Sequence, residues 1–260
     1  MKINDAINIA KGMIHLNPSG KIGETIILAG FPRGGTTWLA EILNYQNNYR
    51  YLFEPFFEKY VPQVKGFPVR KYIRPSAKMS GLNLSVIDRI MSGKIRNFWI
   101  DRFNRKIIYD KLLIKDIRIH LSLYWLIERY PHIKIVFLLR HPFALVSSYR
   151  RIGWSTGVKS YTWQKDLVSD YISSFVPDLL KDITGFEEHI FQWCVENYVP
   201  LMQFRNHPSF YVCFYEWFCV NVLEETKKMF SWLGKKEIQI SESKLRKPSK
   251  MSKKHSTVFT

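Results

Sequence analysis

Cysteine is scarce in this sequence. Cys194, Cys213 and Cys219 are the only three among 260 residues, an odd set and too late in the chain for a disulfide framework. No histidine joins them at a zinc-like spacing, so no structural metal is expected. Glycine and proline, at 13 and 12, are too few for a collagen-like or low-complexity chain. No apolar run approaches the ~20 residues of a membrane span. The segment Met1–Ile7 lacks the apolar core of a secretory leader, so a soluble protein of the reducing cytoplasm is expected. Acidic residues are also few: 22 Asp and Glu face 39 Lys and Arg, a net charge of +17. Such an excess favours anionic partners, among them nucleic acid, phosphate or sulfate esters, acidic glycans and acidic membrane surfaces. What the chain does have is 46% apolar and 15% aromatic residues, which excludes disorder as its dominant state.

Apolar runs of strand length recur, most of them followed by helical patterns. The strand candidates are Thr25–Gly30, Arg50–Phe53, Lys111–Ile114, Ile133–Leu139 and Phe210–Phe214. They are apolar on both faces, as parallel strands covered by helices are. Helical patterns run over about 36–45, 121–129, 142–150, 187–205 and 222–233. The alternation predicts an α/β three-layer sandwich, a central mostly parallel sheet with helical and loop insertions, in one domain over 1–260. Segments 56–110 and 153–186 break the rhythm and read as insertions or lids. The tail 235–260 carries eight Lys or Arg against two Glu. It is either a basic tail without fixed structure or a strap across an anion site.

The strongest chemical signal is Gly30-Phe-Pro-Arg-Gly-Gly-Thr-Thr-Trp38, which follows a strand and opens a helix. Backbone N–H groups in a first helical turn lack intrahelical partners, and the helix dipole adds positive potential there. Gly34 and Gly35 let the backbone close on a tetrahedral anion, Thr36 and Thr37 bring hydroxyls, and Arg33 brings a forked cation. The spacing nearly matches a Walker loop, but Thr36 stands where that loop has Lys. A plain strand-to-helix turn is the bland alternative.

Pro32-Arg-Gly-Gly-Thr-Thr-Trp-Leu39 resembles the 5′-phosphosulfate loop of sulfotransferases that use 3′-phosphoadenosine 5′-phosphosulfate, typically Pro-Lys-Ser-Gly-Thr-Thr-Trp-Leu. Arg for Lys is usual in the carbohydrate branch of that family, whereas Gly34 for Ser loses one hydroxyl. Arg140 ends the strongest strand, Pro142 suits a first helical turn, and Ser148 follows Arg140 by eight residues. That spacing resembles the family's 3′-phosphate motif, with Ser147 as the neighbour open to confusion. Phe214-Tyr-Glu-Trp through Phe230-Ser-Trp-Leu-Gly234 resembles a further family segment, which implies that Tyr215 approaches the adenosine. A buried Tyr215 at a strand end is the equal alternative. The resemblance thus assigns Arg33, Gly34, Gly35, Thr36, Thr37, Trp38, Arg140, Ser148 and Tyr215 to the nucleotide.

Open α/β sheets bind ligands beyond the carboxyl ends of their strands, which here are Gly30, Glu54, Lys115, Arg140 and Tyr215. Leu52-Phe-Glu-Pro55 and Lys115-Asp-Ile-Arg118 resemble segments of the carbohydrate branch. The resemblance implies catalytic roles for Glu54, Arg33 and Lys115, with Glu54 taking the acceptor proton. Burial is expected to raise the Glu54 pKa, and Pro55 to hold Glu54 extended. Asp116 and His120 are the fallback bases, although a lone histidine near an apolar run is commonly structural. Trp99, Trp154, Tyr161 and Trp163 are candidates for stacking on sugars or phenols, or else for closing a small core.

The function expected is transfer of a sulfuryl group from the phosphosulfate nucleotide to an acceptor hydroxyl, best a carbohydrate, without a metal and without nucleic acid. A P-loop kinase or NTPase is the first alternative, but it wants the missing Lys and a Mg²⁺-holding Asp. A non-catalytic polyanion- or nucleotide-binding protein is the second.

Overall fold

The structure, a computed structural model, describes residues 24–79, 84–153, 158–173, 183, 185–235 and 240–248. Five strands form the sheet: β1 (Glu24–Gly30), β2 (Tyr49–Phe53), β3 (Lys111–Asp116), β4 (Lys134–Leu139) and β5 (Phe210–Phe214). Their order is β2-β3-β1-β4-β5, and every neighbouring pair is parallel. Parallel neighbours need crossovers, and helices supply most of them. Helix α1 (Thr36–Leu43) follows β1; α2 (Leu84–Met91) and α3 (Phe98–Asp101) lie between β2 and β3. Helix α4 (Leu123–Arg129) follows β3, and α5 (Pro142–Ile152) and α6 (Phe186–Gln203) follow β4. Beyond β5 come α7 (Tyr215–Val220), α8 (Val222–Trp232) and α9 (Glu242–Leu245).

Side chains alternate across a strand, so β1 feeds two cores. Ile27 and Ala29 pack with Ile87 and Ile90 of α2 and Leu123 and Leu126 of α4. Ile26 and Leu28 pack with Leu39 and Leu43 of α1 and Met229 and Phe230 of α8. Each such fully buried side chain contributes about 1.5–3 kcal/mol relative to exposure. The three-layer α/β sandwich predicted from two-sided apolar runs is the architecture found.

Edge strand β2 shows how one polar residue closes an open ladder. Asn104 accepts from the Tyr51 N–H at 2.8 Å and donates to the Tyr51 carbonyl at 3.0 Å, in place of a sixth strand. Arg50 points off the same strand into a buried pocket, where it forms a two-pronged pair with Asp101 at 2.9 Å and donates to the carbonyls of Gly93 and Ile95. The segment 56–110 is therefore more than a loop. Helices α2 and α3 inside it are too short to be stable alone and form because Val86, Ile87, Ile90 and Ile100 are buried against the sheet. In the basic tail, α9 buries Leu245 in the second core, and its carbonyl accepts from Trp38 Nε1 at 2.9 Å. The remainder from 249 onward lies outside the described residues. No helix among those described is long and apolar enough to cross a membrane.

Candidate active site

The loop between β1 and α1 is held open by its backbone. Arg33 adopts a left-handed φ of 65° and Gly35 one of 95°, and the Gly34 N–H closes the turn on the Phe31 carbonyl at 2.9 Å. A Cβ on Gly34 would meet that carbonyl at 2.7 Å, and one on Gly35 would meet the Tyr215 ring at 2.5 Å. Glycine at both positions is thus dictated by close approach. No side chain caps α1 and no acidic residue lies in its first turn, so its N-terminal potential faces outward uncompensated. Thr36 is buried under the turn, while Thr37 and Trp38 are half-buried.

Three later segments converge on this loop. Arg140, just past β4, donates from Nη1 to the Arg33 carbonyl at 2.9 Å, and its guanidinium lies 4.2 Å above the Tyr215 ring. Its Nε is buried without a partner among the described residues, a donor left over for a ligand. Ser148 on α5 accepts from Arg33 Nε at 3.1 Å. Its neighbour Ser147 instead bonds back to the Phe143 carbonyl at 2.9 Å. Tyr215 opens α7, packs edge-on against Trp38 with ring centres 5.7 Å apart, and covers Gly35. It lies at the loop rather than deep in the core. Tyr149 anchors the base of the loop by donating to the Pro32 carbonyl at 3.1 Å and stacking on Phe31. The arrangement places the Arg33 and Arg140 guanidinium groups at an uncapped helix start, a setting that favours an anion.

At the ends of β2 and β3 the structure departs from the sequence reading. Glu54 is buried, but its pKa is lowered rather than raised. Burial pushes it up, and Lys115 and Arg118 together outweigh that effect. Lys115 Nζ reaches Glu54 Oε1 at 2.5 Å, and Arg118 Nη1 reaches Oε2 at 2.7 Å. Nor is Glu54 extended: its φ is 47°, because the chain bends sharply there while the Glu54 N–H still bonds to the Lys115 carbonyl at 2.7 Å. Strand β2 lies beside β3, not beside β1, so Lys115 stands between Glu54 and the loop strand in the sheet.

The fallback bases are both occupied. Asp116 is fully buried and accepts the backbone N–H groups of Phe56 and Arg118, with burial raising its pKa to about 6. His120 is buried beside Phe31 and Phe137, and burial lowers its pKa to about 4. Its Nδ1 lies 3.3 Å from Glu196 Oε2 on α6, in ion-pair range without hydrogen-bond alignment. Glu196 also takes Arg70 at 3.4 Å, Gln192 at 3.2 Å and the Tyr161 hydroxyl. Tyr161 is therefore a buried member of this network and not an exposed platform. Trp163 is 77% exposed, Trp99 stacks on Tyr60 with ring centres 3.9 Å apart, and Trp154 lies outside the described residues. Sequence reasoning missed Arg102, which lies over Trp99 at 4.2 Å, and the Glu196 network. Glu196 gives no distinct sequence signal, since its helix also carries Glu187, Glu188, Gln192 and Asn197.

Residues 25–234 match the model of the sulfotransferase family. No curated protein matches the chain significantly. Among solved structures it is similar to a sulfotransferase from Alicyclobacillus acidocaldarius, with 12% identity, 86% of this chain and 88% of that one covered, and a TM-score of 0.45. It is also similar to the sulfotransferase domain from the curacin biosynthetic pathway, with 13% identity, coverage of 86% and 76%, and a TM-score of 0.46. A third is the mouse sulfotransferase SULT7A1 complexed with PAP, with 14% identity, coverage of 96% and 72%, and a TM-score of 0.40. The family match spans the sheet from β1 through α8, with the loop and the residues that converge on it, and the chain belongs to the sulfotransferase family.

Proposed function

We propose that the protein transfers the sulfuryl group of 3′-phosphoadenosine 5′-phosphosulfate to an acceptor hydroxyl, with a carbohydrate as the acceptor class. The observation that carries this reading is the convergence of Arg33, Arg140, Ser148 and Tyr215 on the uncapped start of α1. In it, the backbone of Gly35–Thr37 and the Arg33 guanidinium hold the 5′-phosphosulfate, with Thr36 and Thr37 adding hydroxyls, while Gly34, its N–H spent on the Phe31 carbonyl, keeps the turn tight. Arg140 and Ser148 hold the 3′-phosphate. Ser148 accepts from Arg33 and keeps its own proton to donate, and Arg140 has a spare Nε. Trp38 and Tyr215 flank the adenosine.

Sulfuryl transfer, like phosphoryl transfer, leans on positioning and charge stabilisation. The bond from the acceptor oxygen to sulfur forms as the bond from sulfur to the 5′-phosphate oxygen breaks. The hydroxyl proton passes to the Glu54 carboxylate, which is ionised at neutral pH because Lys115 and Arg118 flank it. Lys115 turns toward the sulfuryl oxygens as the proton arrives, and the departing phosphate faces Arg33 and the N–H groups of α1. The carbohydrate assignment is supported by the Leu52–Pro55 and Lys115–Arg118 segments and by arginine at position 33.

The test has two arms. 3′-Phosphoadenosine 5′-phosphate should raise the melting temperature more than ATP with Mg²⁺ does, by linkage. Labelled sulfate from the phosphosulfate donor should then appear on a glycan in a panel of glycans, phenols and lipids. A larger, Mg²⁺-dependent shift with ATP would overturn the donor assignment, and transfer to phenols or lipids alone would overturn the acceptor class.

A further inference from the structure

Beside Glu54 stand two guanidinium groups with most of their hydrogen-bonding capacity unspent. Arg102 lies 4.2 Å from the Trp99 ring centre, 5.1 Å from that of Phe53 and 5.3 Å from that of Phe103. It is an exposed side chain with no hydrogen bond or ion pair to any described residue. Arg118 lies 3.8 Å over the Phe57 ring and spends Nη1 on Glu54. Its Nε and Nη2 donate to nothing among the described residues. A guanidinium resting on aromatic faces keeps its charge and is held in orientation, while the in-plane fork of N–H groups remains free.

The charge balance points the same way. Lys115 and Arg118 take the two oxygens of one carboxylate, Glu54, and Arg102, over the ring of the adjacent Phe53, lies within its field without contacting it. Two other acids lie close by, and both are buried and engaged: Asp116 with backbone N–H groups and Asp101 with Arg50. The cluster therefore carries net positive charge at the strand edge that also bears the phosphate loop. It is not part of that loop: β3 separates β2 from β1, and adjacent strands are spaced about 4.8 Å apart.

We propose that Arg102 and Arg118 form an anion subsite, so that the acceptor carries a carboxylate or sulfate group within a few ångströms of the hydroxyl that is modified. The subsite deepens the reading given above and rests on it, since it takes Glu54 as the end where the acceptor binds. The aromatic rings fix both forks, the acceptor anion accepts from them, and its hydroxyl is thereby directed at Glu54 and the sulfuryl group. A neutral acceptor leaves the two cations without a partner.

The experiment measures binding first and transfer second. Calorimetry compares an oligosaccharide containing uronic acid with its carboxyl-reduced counterpart, and 4-hydroxyphenylacetate with 4-ethylphenol, without donor nucleotide. The acidic member should bind more tightly in at least one pair, by about tenfold, the size of a charge-assisted hydrogen bond. Arg102→Gln should abolish that preference and Arg102→Lys restore it in part, since charge returns without the fork. Lys227→Gln removes the same charge from a distant exposed position of α8 and should leave the preference intact, which separates a built subsite from the general attraction of a +17 chain. Transfer assays should show the Arg102→Gln defect as a higher KM for the acidic acceptor. Thermal shifts with 3′-phosphoadenosine 5′-phosphate should match wild type. Equal binding of both members of each pair, no binding of any of the four, or a preference that survives in folded Arg102→Gln, overturns the subsite. If the nucleotide fails to bind wild type while the acidic preference and its loss in Arg102→Gln are both seen, the donor reading fails and the anion site stands.

Discussion

Lys115 Nζ donates to Glu54 Oε1 across 2.5 Å, joining the carboxyl ends of two neighbouring parallel strands in a buried ion pair. The pair holds Glu54 in a left-handed conformation, φ 47°, that a non-glycine residue adopts only at a cost of about 1–3 kcal/mol. It keeps the carboxylate ionised. For Lys115, burial lowers the pKa, and the Glu54 charge and hydrogen bond offset part of that fall.

Glu54→Gln should therefore do two things. Turnover should fall by about 10²–10⁴-fold, the usual worth of a general base, while affinity for 3′-phosphoadenosine 5′-phosphate survives. Stability should fall by roughly 3–5 kcal/mol, because Lys115 and Arg118 lose the charge between them. Denaturant melts beside kcat and nucleotide affinity check this. An unchanged kcat in the folded variant removes Glu54 from the proton transfer.

Arg140→Ala should weaken the 3′-phosphate nucleotide by about 10–100-fold, as expected for a lost hydrogen bond to a charged group. Adenosine 5′-phosphosulfate, which lacks the 3′-phosphate, should lose much less. Calorimetry on both nucleotides decides it. Equal losses would mean that Arg140 acts through the Arg33 carbonyl and Tyr215 instead.

Gly35→Ala places a methyl group 2.5 Å from the Tyr215 ring at a φ of 95°. Either the ring moves or the turn does. Nucleotide binding should fall at least tenfold, with a stability loss of about 1–3 kcal/mol from the disfavoured backbone. A second variant, Gly35→Ala with Tyr215→Ala, should recover part of the stability but not the binding. Full binding by the single variant would show that the loop need not hold this shape.

The pH dependence of stability should carry the mark of His120. Its folded pKa, about 4, lies below the ordinary 6.5, so the unfolded chain binds the proton more readily. Its contribution is complete above pH 6.5 and declines as the pH falls toward 4, by up to about 1.4 kcal/mol per unit. Asp116 acts in the opposite sense, its pKa raised to about 6, so protonation below that value favours the fold. Comparing melts of wild type and His120→Gln between pH 4 and 7 isolates the first effect. Parallel curves would show that His120 is not held neutral.

Much of the site was legible before any tertiary contact was known. The loop from Gly30 to Trp38 combines a strand end, two glycines and a helix start within nine residues, so its capacity for an anion is a local property. The spacing of Ser148 after Arg140 is likewise local, eight residues from a strand end into the helix that follows. The Glu54 pKa was not legible. Burial alone predicts a rise, and only the positions of Lys115 and Arg118, 61 and 64 residues away, reverse the sign. Tyr161 looked like a loop aromatic because nothing near it in sequence announces Glu196, 35 residues on.

By itself the sequence determined five strands apolar on both faces, the helices that follow most of them, and the glycine-rich turn that opens α1. Each depends on side-chain periodicity or backbone freedom among residues a few positions apart. Tertiary structure alone decided the strand order β2-β3-β1-β4-β5, and with it that Glu54 meets Lys115 rather than the loop strand. It also decided that Arg33 bonds Ser148 across 115 residues, and that Asn104 stands in for a missing strand beside Tyr51. The physical reason is that charge and hydrogen bonding act through a few ångströms of space. Which groups lie within that range depends on how the crossovers stack the strands, and no local pattern encodes it.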